Sequence, residues 1–185
     1  VSHLSSDELE GREIGTVGIE KAAMYIEAVF EKNGIKPYFE TYRNNFKVGI
    51  LDAYNVVGYI EGNDPKLKNE IVIIGAHYDH LGQAQKVGSD QTANGANDNA
   101  SGVSAVLLMA QHFAVTKSNK RSIIVALFSA EEKGLLGSAH LAKTLKAENI
   151  DLYTMLNFEM LGVPFPDRDY MAFVTGYDLS NISEK

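Results

Sequence analysis

Residues 121–132, RSIIVALFSAEE, decide how the rest of the chain is read. The run Ile123-Ile124-Val125-Ala126-Leu127-Phe128 is continuously apolar and rich in β-branched side chains, the pattern of a strand covered on both faces of a sheet. It leads straight into two carboxylates, Glu131 and Glu132, just before Gly134. Adjacent acidic groups where a buried strand meets a loop are costly to desolvate, so the doublet is either a solvated strand end or a place that wants positive charge, such as a metal ion.

Two further strands resemble the first. Ile71 to His77, IVIIGAH, is again continuously apolar and ends at a histidine, and Tyr153 to Phe158 ends at Glu159. Helices separate them. Ile19, Ala22, Ala23, Ile26 and Phe30 recur at helical spacing between Thr16, a natural N-cap, and Gly34, a natural stop. Val103, Val106, Leu107, Ala110 and Phe113 mark a second helix, for which Ser101 reads as the cap, and Gly137 to about Lys146 a third.

Strands alternating with helices predict an α/β fold, a mostly parallel mixed sheet with helices on both faces. Lys36–Thr41 and Ala53–Ile60 read as antiparallel strands at its margin, and Tyr170–Thr175 as one more strand. Leu81 to Asn97 is Gly, Gln, Ser, Asn and Asp rich, which predicts a long loop of functional interest.

The 185 residues fit a single domain, 1–185, large enough to bury a core without staples. The apolar share of 45% and charged share of 22% are those of an ordinary globular protein, and no apolar run is long enough for membrane insertion. A net charge of −7 gives no basic footprint, so nucleic acid is not an expected partner. With no cysteine, any metal must be held by histidine and carboxylate.

In open α/β sheets a ligand lies beyond the carboxyl ends of the strands, and His77, the Glu131-Glu132 pair and Glu159 all fall there. Asp98, in GANDNASG before the second helix, can be turned into the same crevice. Asp79 follows His77 by two residues and is either a solvated turn aspartate or a group that holds the histidine ring. His80 reads as a pocket residue or as a hydrogen-bonded structural one, and His3, His112 and His140 as terminal or helix-surface residues. Tyr153, Phe158 and Phe165 read as core or pocket wall.

The segments HYDHLG, GANDNASG, FSAEEKGLLGS and NFEMLG, in that order, together with the opening DELEGREIGTVG, resemble the M28 family of co-catalytic zinc metallopeptidases. The resemblance implies a zinc-exopeptidase-like fold and an aminopeptidase acting on peptide substrates, with a secreted or periplasmic location. It implies two Zn2+ ions per complete domain. His77 and Glu159 would bind one, Glu132 the other, and Asp98 would bridge them. Glu131 would be the catalytic acid/base, Asp79 the residue that orients His77, and the Asp98–Asn99 peptide would be cis.

The chain departs from the family pattern in two places. The position of Glu159 is commonly Asp in the family. Family members also supply a final histidine to the zinc that binds Glu132, and no histidine follows His140. The expectation is therefore an M28 domain lacking its C-terminal segment, holding at most one zinc tightly and with weak or no peptidase activity. The alternatives are a single-zinc enzyme of the glutaminyl cyclase type and a non-catalytic peptidase-like interaction domain.

Overall fold

A computed structural model of the chain describes residues 1–164, 166–176 and 181. In chain order the strands are β1 (Lys36–Pro37), β2 (Arg43–Val48), β3 (Leu51–Ile60), β4 (Glu70–His77), β5 (Gln83–Val87), β6 (Asp90–Thr92), β7 (Ser122–Phe128) and β8 (Asp151–Asn157). The α-helices are α1 (Val17–Lys32), α2 (Gly102–Thr116) and α3 (Leu136–Ala147).

One six-stranded sheet runs in the order β1-β3-β7-β4-β8, with β2 paired to β3. The half carrying the apolar strands is parallel, β4 lying between β7 and β8. The other half is antiparallel, through β3 against β1, β2 and β7. Every residue of β7 is buried, as its uninterrupted apolar run requires.

Alternate residues of these strands feed two cores. On one face Val56, Ile74, Val125 and Leu127 pack with Ile26 and Phe30 of α1 and Val106 and Ala110 of α2. On the other, Val57, Ile73, Ile124 and Ala126 pack with Leu141 and Leu145 of α3. Burying the Val, Ile, Leu and Phe side chains among these stabilises the fold by about 1.5–3 kcal/mol each before the entropy cost is set against it.

The helix ends follow local chemistry in part. Thr16 caps α1 by accepting the N–H of Ile19, and Gly34 closes it at φ 66°. Ser101 does not cap α2. The chain is already coiled from Ala96, so Ser101 has helical dihedrals and its hydroxyl donates back to the carbonyl of Asn97.

Other expectations are corrected at the periphery. The strand expected over residues 36–41 is only Lys36–Pro37, and β2, an unexpected strand, follows it. β2 is polar in sequence and is secured by tertiary partners. Arg43 bonds Glu20 and Glu27 of α1, and Asn44 accepts from the buried Asn55 of β3. The loop expected over residues 81–97 contains the β5–β6 hairpin.

Residues 170–175 form no strand. Tyr153 is not core: β8 ends the sheet order, its residues are largely exposed, and the Arg121 guanidinium lies 3.8 Å from the centroid of the Tyr153 ring. Phe158 packs against the core, and Phe165 lies outside the described residues. Among the described residues no helix is long and apolar enough to cross a membrane.

Candidate metal centre

The carboxyl ends of β4, β7 and β8 carry the expected donors to one place. His77 is the last residue of β4, and its continuation Tyr78 donates its N–H to Phe128 O at 2.8 Å, keeping the ends of β4 and β7 in register. Glu131 and Glu132 follow β7 by three and four residues, and Glu159 follows β8 by two. Asp98 enters from the coil before α2, and the Asp98–Asn99 peptide is cis.

Two donor groups result. His77 Nε2 lies 3.1 Å from Asp98 Oδ1 and 3.1 Å from Glu159 Oε1. His80 Nδ1 lies 2.7 Å from Glu132 Oε1 and 3.9 Å from the same Asp98 Oδ1. Within each group the ligand atoms fall within 4.8 Å of one another, and Asp98 belongs to both.

Strand ends and motif spacing offer the second group only two donors from this chain, Asp98 and Glu132. The structure adds His80, because the turn after His77 swings it round to face Glu132.

Asp98 Oδ1 tests whether these residues suit a cation. It is buried yet has no hydrogen-bond partner, since His77 Nε2 is close but not aligned to donate. A desolvated carboxylate oxygen without a donor is costly, and an ion held between the two groups satisfies it. A donor set of imidazole and carboxylate, with no thiolate, matches zinc coordination by N and O ligands.

Hydrogen bonds hold the donors in position. Asp79 is buried, and its two carboxylate oxygens accept the backbone N–H groups of Glu131 at 3.1 Å and Glu132 at 3.3 Å. Its backbone carbonyl, at 3.1 Å, is nearer to His77 Nδ1 than its carboxylate, at 3.7 Å. Asp79 thus contacts both the glutamate pair, through its carboxylate, and His77, most closely through its carbonyl.

Asn99 and Arg12 were not singled out from sequence. Asn99 is fully buried; its side chain donates to Phe158 O and accepts from Met160 N, clamping the backbone on both sides of Glu159. Arg12, 1% exposed, donates to the carbonyls of Leu4, Tyr78, Asn94 and Gly95, so it ties the segment around Leu4 to the loop that follows His77 and to the one that leads to Asp98. Burial lowers the Arg12 pKa to about 10 against the pull of Asp79 and Asp98, which leaves it charged at neutral pH. Such roles depend on tertiary partners that residue spacing does not show.

The donors perturb one another. Burial works against a charged His77, but the carboxylates of Asp79 and Glu159 outweigh it and push the ring up to about 10. Burial also raises Glu131; nearby His77 opposes this, and Glu159, Glu132 and Asp79 add to it. A separate hollow of about 320 Å³, lined by Tyr38, Tyr59, Lys68 and Asp151 among others, has no histidine and lies at the opposite end of the parallel strands.

An α/β sheet with paired imidazole–carboxylate groups around a shared aspartate, at the carboxyl ends of its parallel strands, defines a zinc-exopeptidase-type domain. Residues 55–185 match the model of Peptidase family M28, and the chain belongs to that family. It is 33% identical over 168 residues to a "probable zinc metalloprotease" of Pyrenophora teres f. teres, an alignment covering 86% of this chain and 35% of the relative. The chain therefore spans about a third of that relative's length.

Among solved structures it superposes on the LapA aminopeptidase of Legionella pneumophila with a TM-score of 0.67 and 28% identity, covering 88% of this chain and 41% of that one. It also shares its fold with a glutaminyl cyclase of Porphyromonas gingivalis, at a TM-score of 0.69 and 17% identity, covering 86% and 58% of the two chains. The metal implied by family membership is zinc.

Proposed function

We propose that the protein is a zinc-dependent aminopeptidase that hydrolyses the N-terminal residue from peptides at a centre built around Asp98. One observation carries this reading: the buried Asp98 oxygen without a hydrogen-bond partner, flanked by one imidazole–carboxylate pair on each side. His77, Asp98 and Glu159 hold one zinc, and Asp98 with Glu132 reaches towards a second. Bound there, zinc supplies a Lewis acid for the scissile carbonyl and for the attacking water.

Glu131 is the catalytic acid/base. Its side chain is not among the closely grouped donors, and its raised pKa suits a carboxyl that must both accept and return a proton. It takes the proton of the attacking water as the C–O bond forms and delivers it to the amine as the C–N bond breaks. Asp79 is a positioning residue, fixing the backbone of Glu131 and Glu132 so that one side chain serves the proton and the other the ion.

Glu131→Gln keeps the shape and removes the proton-accepting oxygen. In a zinc-loaded full-length version it should lower kcat on an aminoacyl p-nitroanilide by about 100-fold to 10,000-fold and leave zinc binding intact. Unchanged turnover would overturn the assignment.

A glutaminyl cyclase reading rests on fold likeness, and the two donor groups sharing one carboxylate favour the peptidase. Ammonia released from an N-terminal glutaminyl peptide, in place of a free amino acid, would support the cyclase. The convergence of His77, Asp98, Glu132 and Glu159 on one place also weighs against a purely non-catalytic interaction domain. A secreted or periplasmic location fits the peptidase reading and is tested by cell fractionation.

A further inference from the structure

The opening segment DELEGREIGTVG, Asp7 to Gly18, supplies neither a metal donor nor the acid/base, yet it sends one buried side chain in among the loops that do. We propose that Arg12 is a positioning residue for the metal centre, its guanidinium fork setting the turn that presents Asp98 to the ion. The proposal rests on the reading that Asp98 holds zinc.

Every hydrogen bond of the guanidinium runs to a backbone carbonyl. Nε donates to Tyr78 O at 2.8 Å, Nη1 to Asn94 O at 2.8 Å and to Leu4 O, and Nη2 to Gly95 O at 3.0 Å. Gly95 O also accepts the backbone N–H of Ala100 at 3.1 Å, which closes residues 95–100 into one turn around Asp98. One carbonyl therefore ends the fork and closes the Asp98 turn. The fit leaves no slack: a Cβ on Gly95 would lie 2.6 Å from Arg12 Nη2 and 2.4 Å from Asp98 O. A planar fork with fixed donor directions holds the loop after His77 and the loop before Asp98 at a set separation, which the rotating donors of an ammonium do not.

The chain adopts a costly backbone to bring Arg12 inward. Glu10, Gly11 and Arg12 have φ of 50°, 67° and 51°, three consecutive left-handed residues of which two carry a Cβ. Gly11 lies against the backbone on both sides of the β5–β6 hairpin, where a Cβ would come within 2.3 Å of Gly82 O and 2.6 Å of Ala93 O. Asn94 donates from its side chain to Ser5 O at 3.0 Å and to Asp7 Oδ1 at 2.7 Å, so the segment also grips the loop leading to Asp98 from outside. A segment that only completed the core would need Leu4 and Leu9, both buried, and no buried cation.

The fork also leaves the ligand free. Arg12 attracts Asp79 and Asp98 but donates to neither, so Asp98 Oδ1 keeps no donor and remains open to an ion.

The test is Arg12→Lys, which keeps a cationic head and loses the fork, in a full-length version. Zinc affinity is read by competition with a chromophoric chelator, and the geometry of the ion by the d–d absorption of cobalt(II) bound in its place. Arg12→Lys should weaken zinc about 10-fold to 100-fold and alter the cobalt spectrum. Leu145→Ala, in the core under α3, should lower thermal stability and leave both readouts unchanged, which separates positioning from stability. In wild type labelled with 15N-arginine, the Arg12 Nε resonance should shift when zinc is added, a readout that requires no variant to fold.

Unchanged zinc affinity and cobalt spectrum in Arg12→Lys, equal losses in Leu145→Ala, or no shift at Arg12 Nε would overturn the proposal. Zinc lost in Asp98→Asn but kept in Arg12→Lys would overturn it alone. Zinc binding that Asp98→Asn leaves unchanged would overturn the metal reading on which it rests.

Discussion

His77 reaches Asp98 from the end of a central strand and is 2% exposed, while its partner Glu159, 43% exposed, follows the solvent-facing edge strand β8. His80 and Glu132 reach the same aspartate from loops, yet both are mostly buried. The first group thus pairs a donor fixed by the sheet with one fixed mainly by Asn99, and the second has both donors pinned by loop hydrogen bonds to Asp79 and Arg12. Strand position alone does not hold a candidate donor in place here. Buried polar side chains between the loops do so.

The largest effect should come from the residue both groups share. Asp98→Asn removes the bridging charge and should weaken zinc at both positions by more than about 100-fold, measured by chelator competition. Loss at only one position would show that Asp98 serves a single group.

Asn99→Ala separates the groups. It frees the backbone around Glu159 and should weaken the first ion about 10-fold to 100-fold with little effect on the second. Equal losses would mean that Asn99 acts through Asp98 alone.

A smaller and graded effect follows from His77. Its pKa in the metal-free fold is raised from the ordinary 6.5 to about 10. The attraction between the protonated ring and the carboxylates of Asp79 and Glu159 therefore stabilises the metal-free fold fully below pH 6.5 and fades as pH climbs towards 10. Zinc must displace the same proton, so its affinity for the first group should rise about tenfold per pH unit over that window. A flat profile between pH 6.5 and 9 would show that His77 is neutral before zinc arrives.

The buried half of the fold was legible in sequence because its strands are uninterrupted apolar runs. Val125 and Leu127 face one core, Ile124 and Ala126 the other, and such a run has few alternatives to a central strand. β2 was not legible: Arg43-Asn44-Asn45 is polar, and the strand forms by pairing with β3 and through the bonds of Arg43 to Glu20 and Glu27. The β5–β6 hairpin was missed because its residues are almost wholly exposed and carry no apolar alternation.

The centre divides in the same way. His77, Glu132 and Glu159 announce themselves at strand ends, whereas His80 depends on how the chain turns after β4. Arg12 was invisible because its partners are backbone carbonyls, which look alike in any sequence.

Zinc-edge anomalous diffraction from zinc-soaked crystals tests the central claim most directly. Anomalous density should appear beside the Asp98 carboxylate, against His77 and Glu159. Density elsewhere on the molecule, or none beside Asp98, would contradict it.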